Sequence, residues 1–141
     1  MPRFNNARDL ERHLKKALDF TLATTITTTQ KRLGSDAVSP VDTGRFRSSW
    51  FAAEGSASSA VAPEGTDEPN TDADSLRVDS SKTYYLTNNL PYAQAIAIEG
   101  RTNPEKNQKS KPATWFTSFR NETIPRIQAE AARQAKKEFD L

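Results

Sequence analysis

His13 is the only imidazole in a 141-residue chain that has no cysteine at all. It stands among Arg12, Lys15 and Lys16, on what reads as the polar, solvated side of a helix. A serine triad needs a histidine held by a carboxylate and aimed at a nucleophile, and this cationic neighbourhood disfavours the imidazolium such a triad must form. Without cysteine there is neither thiolate chemistry nor a thiolate zinc site. The carboxylates lack the alternating Asp/Asn spacing and bidentate Glu of a calcium loop, and the five glycines are scattered singly, with no loop to cradle a phosphate. Most acids fall in one polar segment or on helix surfaces, not as a pair flanking a cleft. The residues that could do chemistry point to a non-catalytic chain with no cofactor and no metal.

What remains is charge, and charge is segregated. The formal net charge is only +2. Residues 1–33 nevertheless carry seven basic and three acidic side chains, and residues 101–111 carry Arg101, Lys106, Lys109 and Lys111 against one acid. Between them, Glu54, Glu64, Asp67, Glu68, Asp72, Asp74 and Asp79 face a lone Arg77. Such polarity suits copies meeting head to tail, with Arg45 and Arg47 of one bridging to the acidic arm (Glu64, Asp67, Glu68, Asp72, Asp74) of the next. The other reading of the acidic stretch is a solvated loop. The basic loop can graze a phosphate backbone without reading sequence, or be an ordinary solvent loop. Tyr84, Tyr85, Tyr92, Trp115, Phe116 and Phe119 could stack on bases, but the spacing of Phe116 and Phe119 with Ile127 favours a core or a subunit interface.

The elements that position these groups follow from periodicity. Leu10, Leu14, Leu18, Leu22 and Ile26 recur every four residues and predict a helix from about Asn6, its cap, to Leu33, with Gly34 as its stop. The Thr24–Thr29 run lowers helix propensity and makes a strand the alternative there; in the helix its threonines would face solvent. Strands are predicted near 48–54, 75–79 and 83–88. Pro91 starts a short helix through Tyr92, Ala95, Ile96 and Glu99 to Gly100. A second long helix runs from Ala113 to about Phe139, where Pro125 should kink or divide it. Residues 56–81 form an extended arm or loop, and the low-complexity stretch from Gly55 to Thr66 cannot bury enough surface to order itself.

Two blocks carry a further implication. In Ser39-Pro-Val-Asp-Thr-Gly-Arg-Phe-Arg-Ser-Ser-Trp50, Pro40 sets a turn, Asp42 or Thr43 caps a short helix starting near Gly44, and Phe46 and Trp50 fall four apart on one face. This segment resembles the PVDTGxLRxSW signature of the tail-completion or neck proteins found at the head-to-tail junction of tailed double-stranded DNA phages. Asn88-Asn-Leu-Pro-Tyr-Ala-Gln-Ala-Ile-Ala-Ile-Glu-Gly100 is similar to that family's N-x-x-x-YA-x-x-x-E-x-G block. Pro112 before an aromatic-rich C-terminal helix is a third similarity. The segment Gly55–Ser81 is longer and more acidic than the family pattern, so its contacts do not carry over. The resemblance makes Pro40, Asp42, Thr43, Gly44, Trp50, Tyr92, Ala93, Glu99 and Gly100 motif residues that seat the short helices on the sheet.

With 35% apolar and 27% charged residues, the chain fits one domain, residues 1–141, with a shallow core that assembly would complete. No apolar run approaches a membrane span, and the Met1–Arg8 start lacks a signal-peptide core, so a chain that stays inside the producing cell is expected. The expected fold is α+β: a small, mainly antiparallel sheet packed by two long terminal helices and a short middle one, with an extended acidic arm. The resemblance implies a virion structural protein in a ring, of six subunits, around the DNA path, whose partners are copies of itself, the neighbouring connector and tail proteins and, non-specifically, packaged DNA. The alternatives are a sequence-independent nucleic-acid-binding module built on the first helix and basic loop, and an assembly factor that never enters the virion.

Overall fold

The computed structural model describes residues 3–35, 44–97 and 114–141. Pro40, Asp42, Thr43, Glu99, Gly100, Arg101, Lys106, Lys109, Lys111 and Pro112 lie outside the described residues. The fold is α+β, with two long terminal helices packed on a two-stranded antiparallel sheet and short helices.

Helix α1 spans Ala7–Leu33, about 40 Å at the usual rise per residue. Asn6 caps it, its side chain accepting the Asp9 N–H at 2.9 Å. The threonine run is helical, with its hydroxyls bonding one turn back, Thr25 to the Thr21 carbonyl at 2.7 Å and Thr27 to that of Ala23 at 3.0 Å, and packing of its buried threonines offsets their low propensity. Gly34 follows the last turn, with the Pro69 ring packed so closely that an added Cβ would come within 2.8 Å of Pro69 Cβ.

The buried side of α1 is not the leucine stripe. Leu10, Leu14 and Leu18 are 38%, 41% and 59% exposed, whereas Ala17, Thr25, Ile26, Thr29, Gln30 and Leu33 are buried. A four-residue step overshoots a full turn by about 40°, so from Leu10 to Ile26 the stripe swings through about 160° and cannot face one partner. The C-terminal helix packs along α1 through the small side chains of Ala131 and Ala135, which suit the buried Ala17 and threonines rather than leucines. The threonines expected in solvent therefore include buried ones.

Helix α2 (Arg45–Ser48) leads into β1 (Trp50–Glu54), which pairs antiparallel with β2 (Tyr84–Asn88) in the register Trp50↔Asn88 to Glu54↔Tyr84. The strand expected near 75–79 is absent. A 3-10 turn, Asp72–Ser75, stands there, because the Asp72 carboxylate takes the Ala52 N–H at 3.1 Å and so fills the edge of β1 that a third strand would need. Helix α3 (Ala93–Ala97) follows, and the C-terminal helix consists of α4 (Trp115–Ser118), a π turn (Phe119–Thr123) and α5 (Ile124–Glu138). Pro125, expected to kink or divide the helix, stands in the first turn of α5, and the regular α pattern is interrupted just before it by the π turn. The missing donor and the ring are accommodated by widening the turn before it.

Candidate functional site

The expected surface for assembly begins at the turn entering α2. Gly44, at φ 88°, occupies the left-handed region and lets the Asp67 carboxylate lie against its Cα. From this anchor Phe46 and Trp50 pair edge-to-face at 5.8 Å, as their spacing predicts, and Phe46 meets Trp115 at 6.1 Å. Trp50 stacks on Phe116 at 6.0 Å with 13° between the planes. Asn88 donates to the Phe46 carbonyl at 2.8 Å, tying the start of the second sequence block to the first. Leu90, Ala93, Ile96 and Ala97 of that block join Phe46 and Trp50 in one core with Leu33, Trp115, Phe119 and Ile127. Among the motif residues, Gly44, Trp50 and Ala93 are thus in or under the core. Tyr92 is not: its ring is 41% exposed at the entry to α3.

Arg45 and Arg47, expected to reach a neighbour, are engaged within the chain. Arg45 Nε donates to the Ala62 carbonyl at 2.8 Å, and its Nη1 stands 4.0 Å from Glu64 Oε1. Arg47 pairs with Asp67 at 2.7 Å. The acidic half of the arm folds onto its own body, because it has something to bury: Ala62 and Ala73 are 3% and 2% exposed. Asp72 is held by Gln30 Nε2 at 2.5 Å as well as by Ala52. Glu68 and Asp74 are exposed. At the far end, Lys15 Nζ pairs with Asp79 at 2.9 Å and with Asp19 at 3.2 Å. The Ser81 hydroxyl and Lys15 hold the Asp79 carboxyl well below the usual carboxylate range. Burial pushes Asp19 up, but the Ser80 amide, its hydroxyl and Lys15 outweigh it and leave it lowered. Asp79, then Asp19, raise Lys15.

His13 is not a solvated surface residue. Its Nε2 donates to the Phe139 carbonyl at 2.6 Å, and its ring lies 5.2 Å from Phe4 and 5.7 Å from Phe139. The carbonyl can only accept, so Nε2 carries the hydrogen. The residue closes the end of α5 onto α1. Among the aromatics, Trp115 and Phe119 are buried and Phe116 half-buried, while Tyr85 is 40% exposed on the sheet.

Gln30 and the sheet edges had no sequence signature. Gln30 is 1% exposed, and its only clue is a place on one helical face with Ile26 and Leu33. Its Nε2 donates to the Trp50 carbonyl at 3.1 Å, and its Oε1 accepts from the Ala73 N–H at 3.1 Å. Among the described residues no group of His, Asp or Glu side chains is arranged to hold a metal ion, and no helix is long and apolar enough to cross a membrane. No family model, curated protein or solved structure matches the chain.

Proposed function

We propose that this chain is a non-catalytic structural protein of the head-to-tail junction of a tailed double-stranded DNA phage, forming a ring around the DNA path. The observation that carries the reading is the convergence of the two resembling blocks: Phe46 and Trp50 from one, Asn88, Leu90 and Ala93 from the other, share a hydrogen bond and a core. Sequence blocks that far apart need a common physical task to appear together, and here they seat the short helices on the hairpin. In this reading Glu68, Asp74 and the outer faces of Glu64 and Asp67 meet neighbouring copies, and Arg101, Lys106, Lys109 and Lys111 border the DNA. The function rests on family resemblance and not on a reactive site.

Light scattering of the purified chain and mass spectrometry of purified virions test it. A ring-sized mass and presence in particles are expected; absence from particles would make the chain an assembly factor. Replacing Lys106, Lys109 and Lys111 by Glu should leave assembly intact and disturb DNA retention. Duplex binding by a monomer, weakening steeply with salt, would favour the nucleic-acid module instead.

A further inference from the structure

The two edges of the hairpin are treated unequally. In the β1–β2 register, Gly55 donates to the Thr83 carbonyl at 2.8 Å. Alternation then turns the backbone groups of Trp50, Ala52 and Glu54 outward on β1, where Gln30 takes the Trp50 carbonyl and Asp72 the Ala52 N–H at 3.1 Å each. The same alternation turns the N–H and C=O groups of Tyr84, Leu86 and Asn88 outward on β2, and these meet no partner among the described residues. An open edge is normally blunted by charge or proline. Tyr84-Tyr85-Leu86-Thr87-Asn88 contains neither.

Beside that edge lies an open hollow of about 370 Å³ reached by Trp50, Leu86, Asn88, Ala97 and Phe116, and every residue lining it is uncharged. Unpaired strand groups beside an uncharged hollow call for an extended, uncharged stretch of polypeptide.

One described segment has that chemistry. Residues 56–61 (Ser-Ala-Ser-Ser-Ala-Val) carry no charge, and Val61 is 40% exposed. Asn89 Nδ2 holds the carbonyls of Ser58 and Ala60 at 2.6 and 3.1 Å, so these two face the chain's own body. The backbone groups of Ala57, Ser59 and Val61 meet no partner among the described residues, and would alternate to the opposite side once the segment is extended. Three residues spaced by two on the segment thus match three residues spaced by two on the edge. We propose that the open edge of β2 takes residues 56–61 of a neighbouring copy as a third strand. This deepens the ring reading, on which it rests, by naming its contact. The two surfaces differ, so the contact is head-to-tail and copies can close into a ring.

Light scattering at the highest soluble concentration tests this. The wild-type chain should show a multiple of 15.7 kDa. The Leu86 N–H takes no part in the β1–β2 ladder, so Leu86→Pro should keep the hairpin and the far-ultraviolet circular dichroism while the mass falls to one chain. Because the chain has no cysteine, mixing Ser59→Cys with Leu86→Cys chains under mild oxidation should link the two variants to each other, and neither to itself. An oligomer that survives a folded Leu86→Pro, or the lack of a mixed disulfide, overturns strand addition and leaves the ring reading standing. A wild-type chain that stays at one copy overturns both. Should Leu86→Pro lose its dichroism, the disulfide result decides alone.

Discussion

Gln30 serves Trp50 as a strand partner would: its Nε2 donates at 3.1 Å to the Trp50 carbonyl oxygen on the outer edge of β1. A helix side chain thereby completes the sheet, and through Asp72 and Ala73 it also fixes the returning acidic segment.

Gln30→Leu should therefore be far more damaging than its similar volume suggests. The Trp50 carbonyl and the Ala73 N–H would be left buried without partners, at about 1–3 kcal/mol each. Urea denaturation followed by tryptophan fluorescence measures the loss. A change under about 0.5 kcal/mol would mean that water replaces the amide at this position.

Gly44 and Gly55 separate two effects at positive φ. Both sit in the left-handed region, at 88° and 81°, but only Gly44 has a neighbour in the way, the Asp67 carboxylate. Gly55→Ala should cost about 1 kcal/mol of backbone strain. Gly44→Ala should cost more and also release Arg47 from Asp67. Combining it with Asp67→Ala should narrow the gap between the two alanine costs without closing it, because the Cα of residue 67 stays 3.0 Å from the added Cβ, as thermal denaturation of the set would show.

The Lys15–Asp19–Asp79 cluster should make stability fall in acid. Both carboxyls are lowered in the folded chain, so their contribution is full above the unfolded value of 3.8 and is lost as pH drops through the folded values. Lys15 is raised, so its contribution is lost only as pH climbs past the unfolded 10.5. The groups are solvent-accessible and the effect is modest. Urea midpoints measured between about pH 5 and pH 2 should fall less steeply for Asp79→Asn than for the wild type. Equal slopes would remove the cluster from the acid response.

The α1–α5 contact depends on small side chains. Ala131, 1% exposed, should not tolerate Leu, at a cost of about 1–3 kcal/mol from overpacking. Leu18→Ala, at a position 59% exposed, should change monomer stability by no more than about 0.5 kcal/mol. Reversal of that order in thermal denaturation would show that the leucine stripe, not the alanine seam, faces the core.

Features encoded over a few residues were legible in the sequence. The Asn6 cap, the helical threonine run, the two strands that pair and the Phe46–Trp50 contact all follow from short-range spacing. What failed depends on partners remote along the chain. Asp72 is bonded to Gln30 and Ala52, 42 and 20 residues away, and nothing near Asp72 announces either. The same holds for His13 and the Phe139 carbonyl, 126 residues apart. The leucine stripe misled for another reason. Regular spacing reports a face only when the period matches the helix, and four residues drift from 3.6.

The widened turn at Phe119–Thr123 acts as a phase corrector. In an uninterrupted α-helix, Phe119 and Ile127 would point about 80° apart; residues in the wide turn each advance less, which brings the aromatic end and the Ile127–Ala131–Ala135 end onto a common bearing. The helix thus holds one residue more than its pitch requires. Deleting a single residue there would leave Phe119 and Ile127 seven positions apart, within about 20° of a common bearing in a regular helix, so the shorter helix would keep the aromatic end in line with the alanine seam.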